Sequence, residues 1–343
     1  MKKKLFFIGA ALLGIFIFIF LFEDTFPTAS LDLQITRTDA LDKARQYLND
    51  IGYDPEGYTT SVVFSGNRRN FVFLEKCLGL KKANERAKDD VPIWFWKVRF
   101  FKELQKEGFT VRVNPNGRID GFSHHVEQRA PGAVLSEKEA REIVDDFLKQ
   151  NNIQLVSLEL LESQSVRREN RMDHTFVWKK TDSELHWEQD DKKGTGMVRV
   201  MVSVHGNEIG GYKTYFWTPE VFSRFINRLS SEGRFLALIS SFFYMLIYIA
   251  AIIMFIISFR EAPLAFRLMI TIGCLIGLPN FLNMINSIPL LKAGYDTKVN
   301  FLVYYGSAFI SELQGIINRI IVIIIVFCGG SYISRKVYPG KVQ

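Results

Sequence analysis

Long apolar runs at both ends of the chain, with a polar segment between them, constrain the fold more than any other feature. Residues 5–22 are 18 consecutive uncharged residues behind Lys2, Lys3 and Lys4. That is just enough to cross roughly 30 Å of hydrocarbon as a helix. Further runs occupy residues 235–259, 264–291 (interrupted by Pro279 and Pro289) and 316–333. Four transmembrane helices are expected. The chain is 48% apolar yet 23% charged, and the two coexist only because they are segregated along it. A purely soluble protein and a disordered tail are excluded. So is a disulfide scaffold, because Cys274 and Cys328 lie in the apolar runs and leave Cys77 alone in the polar segment.

Lys and Arg beside the runs set an orientation. Lys2–Lys4 precede the first, Arg260 and Arg267 flank the turn between the second and third, and Arg335, Lys336 and Lys341 follow the fourth. All three groups reach the same side only with four crossings. Both termini are therefore expected in the cytoplasm and residues 23–232 outside it, with the lipid bilayer as a partner. The net charge of +7 is then a topology signal, and no nucleic-acid partner is expected. The first run is longer than the core of a cleaved signal peptide, and Thr28 and Ser30 make a weak cleavage site, so an uncleaved anchor is expected.

The polar segment carries an internal repeat. Residues 36–52 (TRTDALDKARQYLNDIG) and 136–152 (SEKEAREIVDDFLKQNN) both open on a hydroxyl residue with an acid three positions on, the capping-box pattern. Ala40, Ala44, Tyr47, Leu48 and Ile51 form one apolar face; Ala140, Ile143, Val144, Phe147 and Leu148 form the other. Strand-like sequence follows each helix. In the first unit it covers 59–65, 71–76, 94–101 and a hairpin turning at Asn114-Pro115-Asn116-Gly117. In the second it covers 155–161, 174–180 and a hairpin turning at His205-Gly206-Asn207. The expected fold class is α+β outside, as two helix-plus-antiparallel-sheet units, joined to an α-helical membrane part. The boundaries are 1–22 for the anchor, 23–130 and 131–232 for the two units, and 233–343 for a bundle of three further spans.

This order of elements resembles the PepSY-like domain family. The residues that carry the resemblance are Thr36-x-x-Asp39-Ala40-x-x-x-Ala44-x-x-x-Leu48, Ser136-x-x-Glu139-Ala140, Trp96-x-Val98-x-Phe100 and Gly117-Arg118-Ile119. The resemblance implies an extracytoplasmic inhibitory, sensory or protease-linked role without catalytic residues. The whole layout is similar to the N-terminal half of bacterial CPBP-type (CAAX-processing) intramembrane metalloproteases, which implies a bacterial cytoplasmic membrane and a peptide or membrane protease as partner. The Glu-Glu-x-x-x-Arg helix and intramembrane His of that family are missing; no His follows His205. The expected function is a sensing, inhibitory or substrate-guiding module, the non-catalytic part of a CPBP-like protease. The alternatives are a fragment of a full metalloprotease whose catalytic spans lie beyond Gln343, and a membrane receptor.

No catalytic, cofactor-binding or metal-binding residue is expected. His124 and His125 are strand neighbours and point to opposite faces. His186 sits in the acidic stretch HWEQDDKKG, read as a loop without the rhythm of a calcium site. Ser203 and His205 lack an elbow motif, and neither a P-loop nor G-x-G-x-x-G occurs. In 94–101, alternation puts Trp94, Trp96, Val98 and Phe100 toward a core. Phe95, Lys97, Arg99 and Phe101 face the other way, and of these Phe95, Arg99 and Phe101 form a candidate peptide-docking face. Within the membrane part, Asn280, Asn283 and Ser287 share one helix face, as do Glu312 and Arg319. Polar groups there require partners. Arg319 either snorkels to the interface or joins the Asn face.

Overall fold

The computed structural model describes residues 2–26, 31, 33–89, 91–151, 153–261 and 266–338. Thr28, Ser30, Asn152, Lys341 and the start of the third apolar run at Leu264 lie outside the described residues. The chain divides into two compact units, Met1–Arg224 and Phe225–Gln343.

In the first unit, α1 (Lys2–Thr25) carries the N-terminal apolar run. It is followed by α2 (Arg37–Asp50), β1 (Thr59–Gly66), α3 (Arg68–Leu78), α4 (Leu80–Asp89), β2 (Trp94–Phe101), β3 (Gly108–Val113) and β4 (Ile119–His125). Then come α5 (Glu137–Gln150), β5 (Leu158–Arg167), β6 (Met172–Lys180), β7 (Leu185–Gln189), β8 (Lys192–His205) and β9 (Glu208–Trp217). Both capping boxes form. Asp39 accepts from the Thr36 amide at 2.8 Å while Thr36 Oγ1 accepts from the Asp39 amide at 3.2 Å. Ser136 and Glu139 repeat the pattern at 2.8 and 3.4 Å, satisfying amides that a helix start leaves unpaired.

All nine strands join one antiparallel sheet in the order β1-β2-β3-β4-β9-β8-β6-β5, with β7 paired to β8. The strands expected of two separate units therefore share a single sheet, sealed where β4 meets β9. Phe122 lies opposite Tyr212 across that seam. Tyr47 of α2 packs edge-on against Phe122, and Phe147 of α5 against Tyr212. Both helices consequently cover the same face. Under α2 lie Val62, Trp96, Val98, Phe100, Phe109 and Val111; under α5 lie Phe176, Trp178, Val200, Val202 and Val204.

Three segments depart from the sequence reading. In 155–161, expected as a strand, residues 155–157 form a 3-10 turn and β5 begins only at Leu158. Residues 71–76, expected as a strand, belong to α3. Phe-Val-Phe-Leu reads as alternation, but Asn67 caps the segment by accepting the Asn70 amide, and Asn70, Phe71, Phe73 and Leu74 are buried at helical spacing. The stretch around His186, expected as a loop, is β7. Asp190 and Asp191 both take positive φ between the paired residues Gln189 and Lys192, a two-residue type I′ turn without the usual glycine.

The second unit holds most of α6 (Glu220–Glu261), then α7 (Phe266–Asn286), α8 (Ile288–Ala293) and α9 (Phe301–Val337). Three helices are long and apolar enough to cross a membrane: Glu220–Ser258, Met269–Asn286 and Phe301–Val337. The expectation was four. The described apolar stretch of α1, Phe6–Phe22, is shorter than these. Small residues bring helices close: a Cβ on Gly329 of α9 would lie 3.0 Å from the Ala251 carbonyl of α6, and one on Gly277 of α7 would lie 3.1 Å from Ile320.

Candidate functional site

Within the second unit, Pro279 interrupts α7 and removes one amide donor from the helix. One residue on, the Asn280 carboxamide donates to the Ile276 carbonyl at 2.8 Å. Its oxygen accepts from Arg319 Nη1 of α9 at 2.6 Å. Ser287 Oγ donates to the Asn283 carbonyl at 2.8 Å. Asn283, Ser287, Glu312 and Arg319 line one groove of about 640 Å³, whose apolar walls include Phe281, Ile285 and Phe309. The five polar positions singled out from sequence thus gather between α7 and α9. Among the described residues Glu312 and Arg319 make no ion pair with each other.

The second place is the sheet face opposite α2 and α5. Phe95 lies beneath the Arg112 guanidinium, 3.7 Å from ring to carbon. Arg99 lies over Phe101 at 4.7 Å, Lys213 over Tyr215 at 4.4 Å and Arg199 over Trp217 at 4.0 Å. Phe101 itself is only 1% exposed. It therefore belongs to the packing beneath Arg99, and the docking face expected from Phe95, Arg99 and Phe101 loses that member. Its place is taken by residues the sequence reading did not single out: Arg112, Lys213, Tyr215 and Trp217. Strand alternation identified them only if β9 was known to lie beside β4, a pairing of strands far apart in the chain.

The registers place a row of cations straight across this face. Lys97 pairs with Arg112, Arg112 with Gly121, and Gly121 with Lys213. Gly121 is the gap that lets the two longer cations lean together; a Cβ there would lie 3.3 Å from Arg112 Cδ. Burial pushes the Lys213 ammonium below its ordinary range, and the Arg112 charge pushes it further. Burial also lowers Arg112, opposed by Asp120. The Arg112 Nε is buried with no hydrogen-bond partner among the described residues.

Four of the five histidines have their neighbours in the sheet or at its edges. His124 stacks on Phe109 and lies 3.2 Å from Glu107, while His125 is exposed on the opposite face. His174 spans Ser165 Oγ at 2.8 Å and the Leu135 carbonyl at 3.0 Å, tying the start of α5 to β5 and β6. His186 meets Thr195 at 2.9 Å. No cluster of three or more His, Cys, Asp or Glu side chains suited to a metal occurs among the described residues. In comparisons with known proteins, the chain matches no family model, no curated protein and no solved structure.

Proposed function

We propose that the chain is a multi-pass protein of a bacterial cytoplasmic membrane that presents a tandem PepSY-like module outside the membrane. In this reading, α1 counts as a fourth crossing and residues 23–232 are extracytoplasmic. The module is sensory, inhibitory or substrate-guiding, and it serves a peptide or a CPBP-like membrane protease without catalysing proteolysis itself. One observation carries the reading: the chain twice runs from a capped helix into an antiparallel meander, and the last strands of the two meanders, β4 and β9, meet at the centre of one sheet. That arrangement covers one face with helices and leaves the other for a partner.

The test uses the full chain in nanodiscs with a photoreactive peptide library. Crosslinks are expected in β2, β3 and β9, with the peptides left intact. Crosslinks confined to other segments, or chelator-sensitive cleavage of the library, contradict the reading.

A further inference from the structure

A small recess opens at the edge of the exposed sheet face. It holds about 300 Å³, the scale of one side chain, and is lined by Arg68, Arg112, Lys213, Phe95, Tyr215 and Asn67 among others. No acidic residue lines it. Among the described residues, Arg68, Arg112 and Lys213 make no ion pair. Three like charges in one recess repel each other, and burial removes the water that would screen them. The first turn of α3, starting at Arg68 behind its Asn67 cap, adds partial positive charge at the same rim. The Phe95 and Tyr215 rings lie 3.7 and 4.4 Å from the Arg112 and Lys213 charges, so each cation sits over an aromatic face.

We propose that this face recognises an acidic polypeptide segment and seats one of its carboxylates between Arg68, Arg112 and Lys213. The inference rests on the module reading above and names the class of partner. Charge complementarity selects an anion, since a carboxylate there supplies the counter-charge the chain does not. The extent of the surface selects a polypeptide. Beyond the recess the face continues through Arg99 over Phe101 and Arg199 over Trp217, several residues' worth of contact that a free anion does not use. A flat anionic bilayer fits less well, because Arg112 and Lys213 are half-buried among their neighbours and do not protrude toward a plane. A polypeptide laid across the strands can drop one side chain into the recess and run on over the Arg99 and Arg199 side chains.

The full chain in phosphatidylcholine nanodiscs is titrated with a Glu-rich decapeptide and with its Gln-substituted counterpart. The Glu peptide is expected to bind at least about tenfold more tightly at low salt, a difference that shrinks as salt screens the charges. Arg112→Gln with Lys213→Gln should abolish the preference. Lys213→Glu should weaken binding of the Glu peptide further, whereas Lys213→Arg should retain the preference, a retention that a misfolded variant does not show. Equal affinity for the Glu and Gln peptides overturns the acidic specificity while leaving the module reading standing; absence of binding by either peptide overturns both. Retention of the preference in the double variant places the site elsewhere and overturns the inference. Association of the nanodiscs with phosphatidylglycerol vesicles, competing with the Glu peptide, assigns the face to a membrane and overturns it as well.

Discussion

The two faces of the nine-stranded sheet are made by the same strands and differ only in which alternate residues they display. On one, Trp96, Val98, Phe100, Val111, Phe122, Val200 and Val202 are buried beneath α2 and α5. On the other, the neighbours of those residues are Lys97, Arg99, Arg112, Arg199 and Lys213. Burial of apolar area drives the first face together. The second carries the hydrogen-bonded ladder, cations laid over rings and the Arg199–Glu162 ion pair at 3.5 Å, while Arg112 and Lys213 make no ion pair among the described residues. A face that was merely solvated would intersperse acids with its bases; the row from Lys97 to Lys213 has none until Glu162 at the far strand. The contrast separates residues buried beneath the two helices from the cationic residues on the opposite side of the same strands.

The largest expected effect lies on the helix face. Trp96→Ala should cost about 3–5 kcal/mol in denaturant unfolding, because it opens a cavity beneath α2. A loss under about 1 kcal/mol would move Trp96 to a surface role.

The next prediction uses a buried charge in the turn between β5 and β6 that has several partners. Arg171, buried, donates to Asp173 at 2.7 Å and to the carbonyls of Glu127 and Ala130 at 3.0 and 2.8 Å. Arg171→Ala should cost about 3 kcal/mol, since it strands two carbonyls and leaves Asp173 with Arg168 alone. Burial pushes the Asp173 carboxyl up, but hydrogen bonds from Arg171 and Arg168 outweigh it and hold the group below its ordinary value. A depressed folded-state value means the stabilisation is fully present above the unfolded value, about 4, and is lost as pH falls through the folded one. Melting temperature should therefore drop between neutral pH and the acid range, with a shallower slope in Asp173→Asn. An unchanged slope would remove Asp173 from the balance.

Ser136→Ala removes one half of a capping box and should cost about 1 kcal/mol, with Thr36→Ala matching it. A large disparity between the two would break the equivalence of the helices. Smallest of all, Arg112→Gln should stabilise the fold slightly in chloride, by about a few tenths of a kcal/mol in denaturant unfolding, because it relieves repulsion from Lys97 and Lys213. A clear loss of stability would mean that the guanidinium's stacking on Phe95 outweighs that repulsion.

How far the sequence reaches follows the same division. Strands β2, β3, β4, β6, β8 and β9 were legible because alternation and turn residues act locally, and both helices were legible from Thr36 and Ser136. Segment 71–76 was not, because its cap, Asn67, lay outside the apolar run that suggested a strand. The β7 turn was hidden because Asp190 and Asp191 take positive φ where glycine or asparagine is the usual sign. In the membrane part, Asn280 and Arg319 could be picked out because a polar residue in an apolar run is conspicuous. Arg112 and Lys213 could not, since each is ordinary in its own strand and becomes unusual only through the β4–β9 pairing.

That pairing makes the ionisation of Lys213 the most direct measure of the account. Its ammonium can be titrated by NMR in the full chain carrying isotope-labelled lysine, with Lys213→Arg assigning the signal. The account predicts a value below the ordinary lysine range, because burial and the adjacent Arg112 both disfavour the charge, and a rise when the Glu peptide is added. A value at or above the ordinary range in the free chain would mean that the charge already has a partner, and would contradict the claim that this face awaits one.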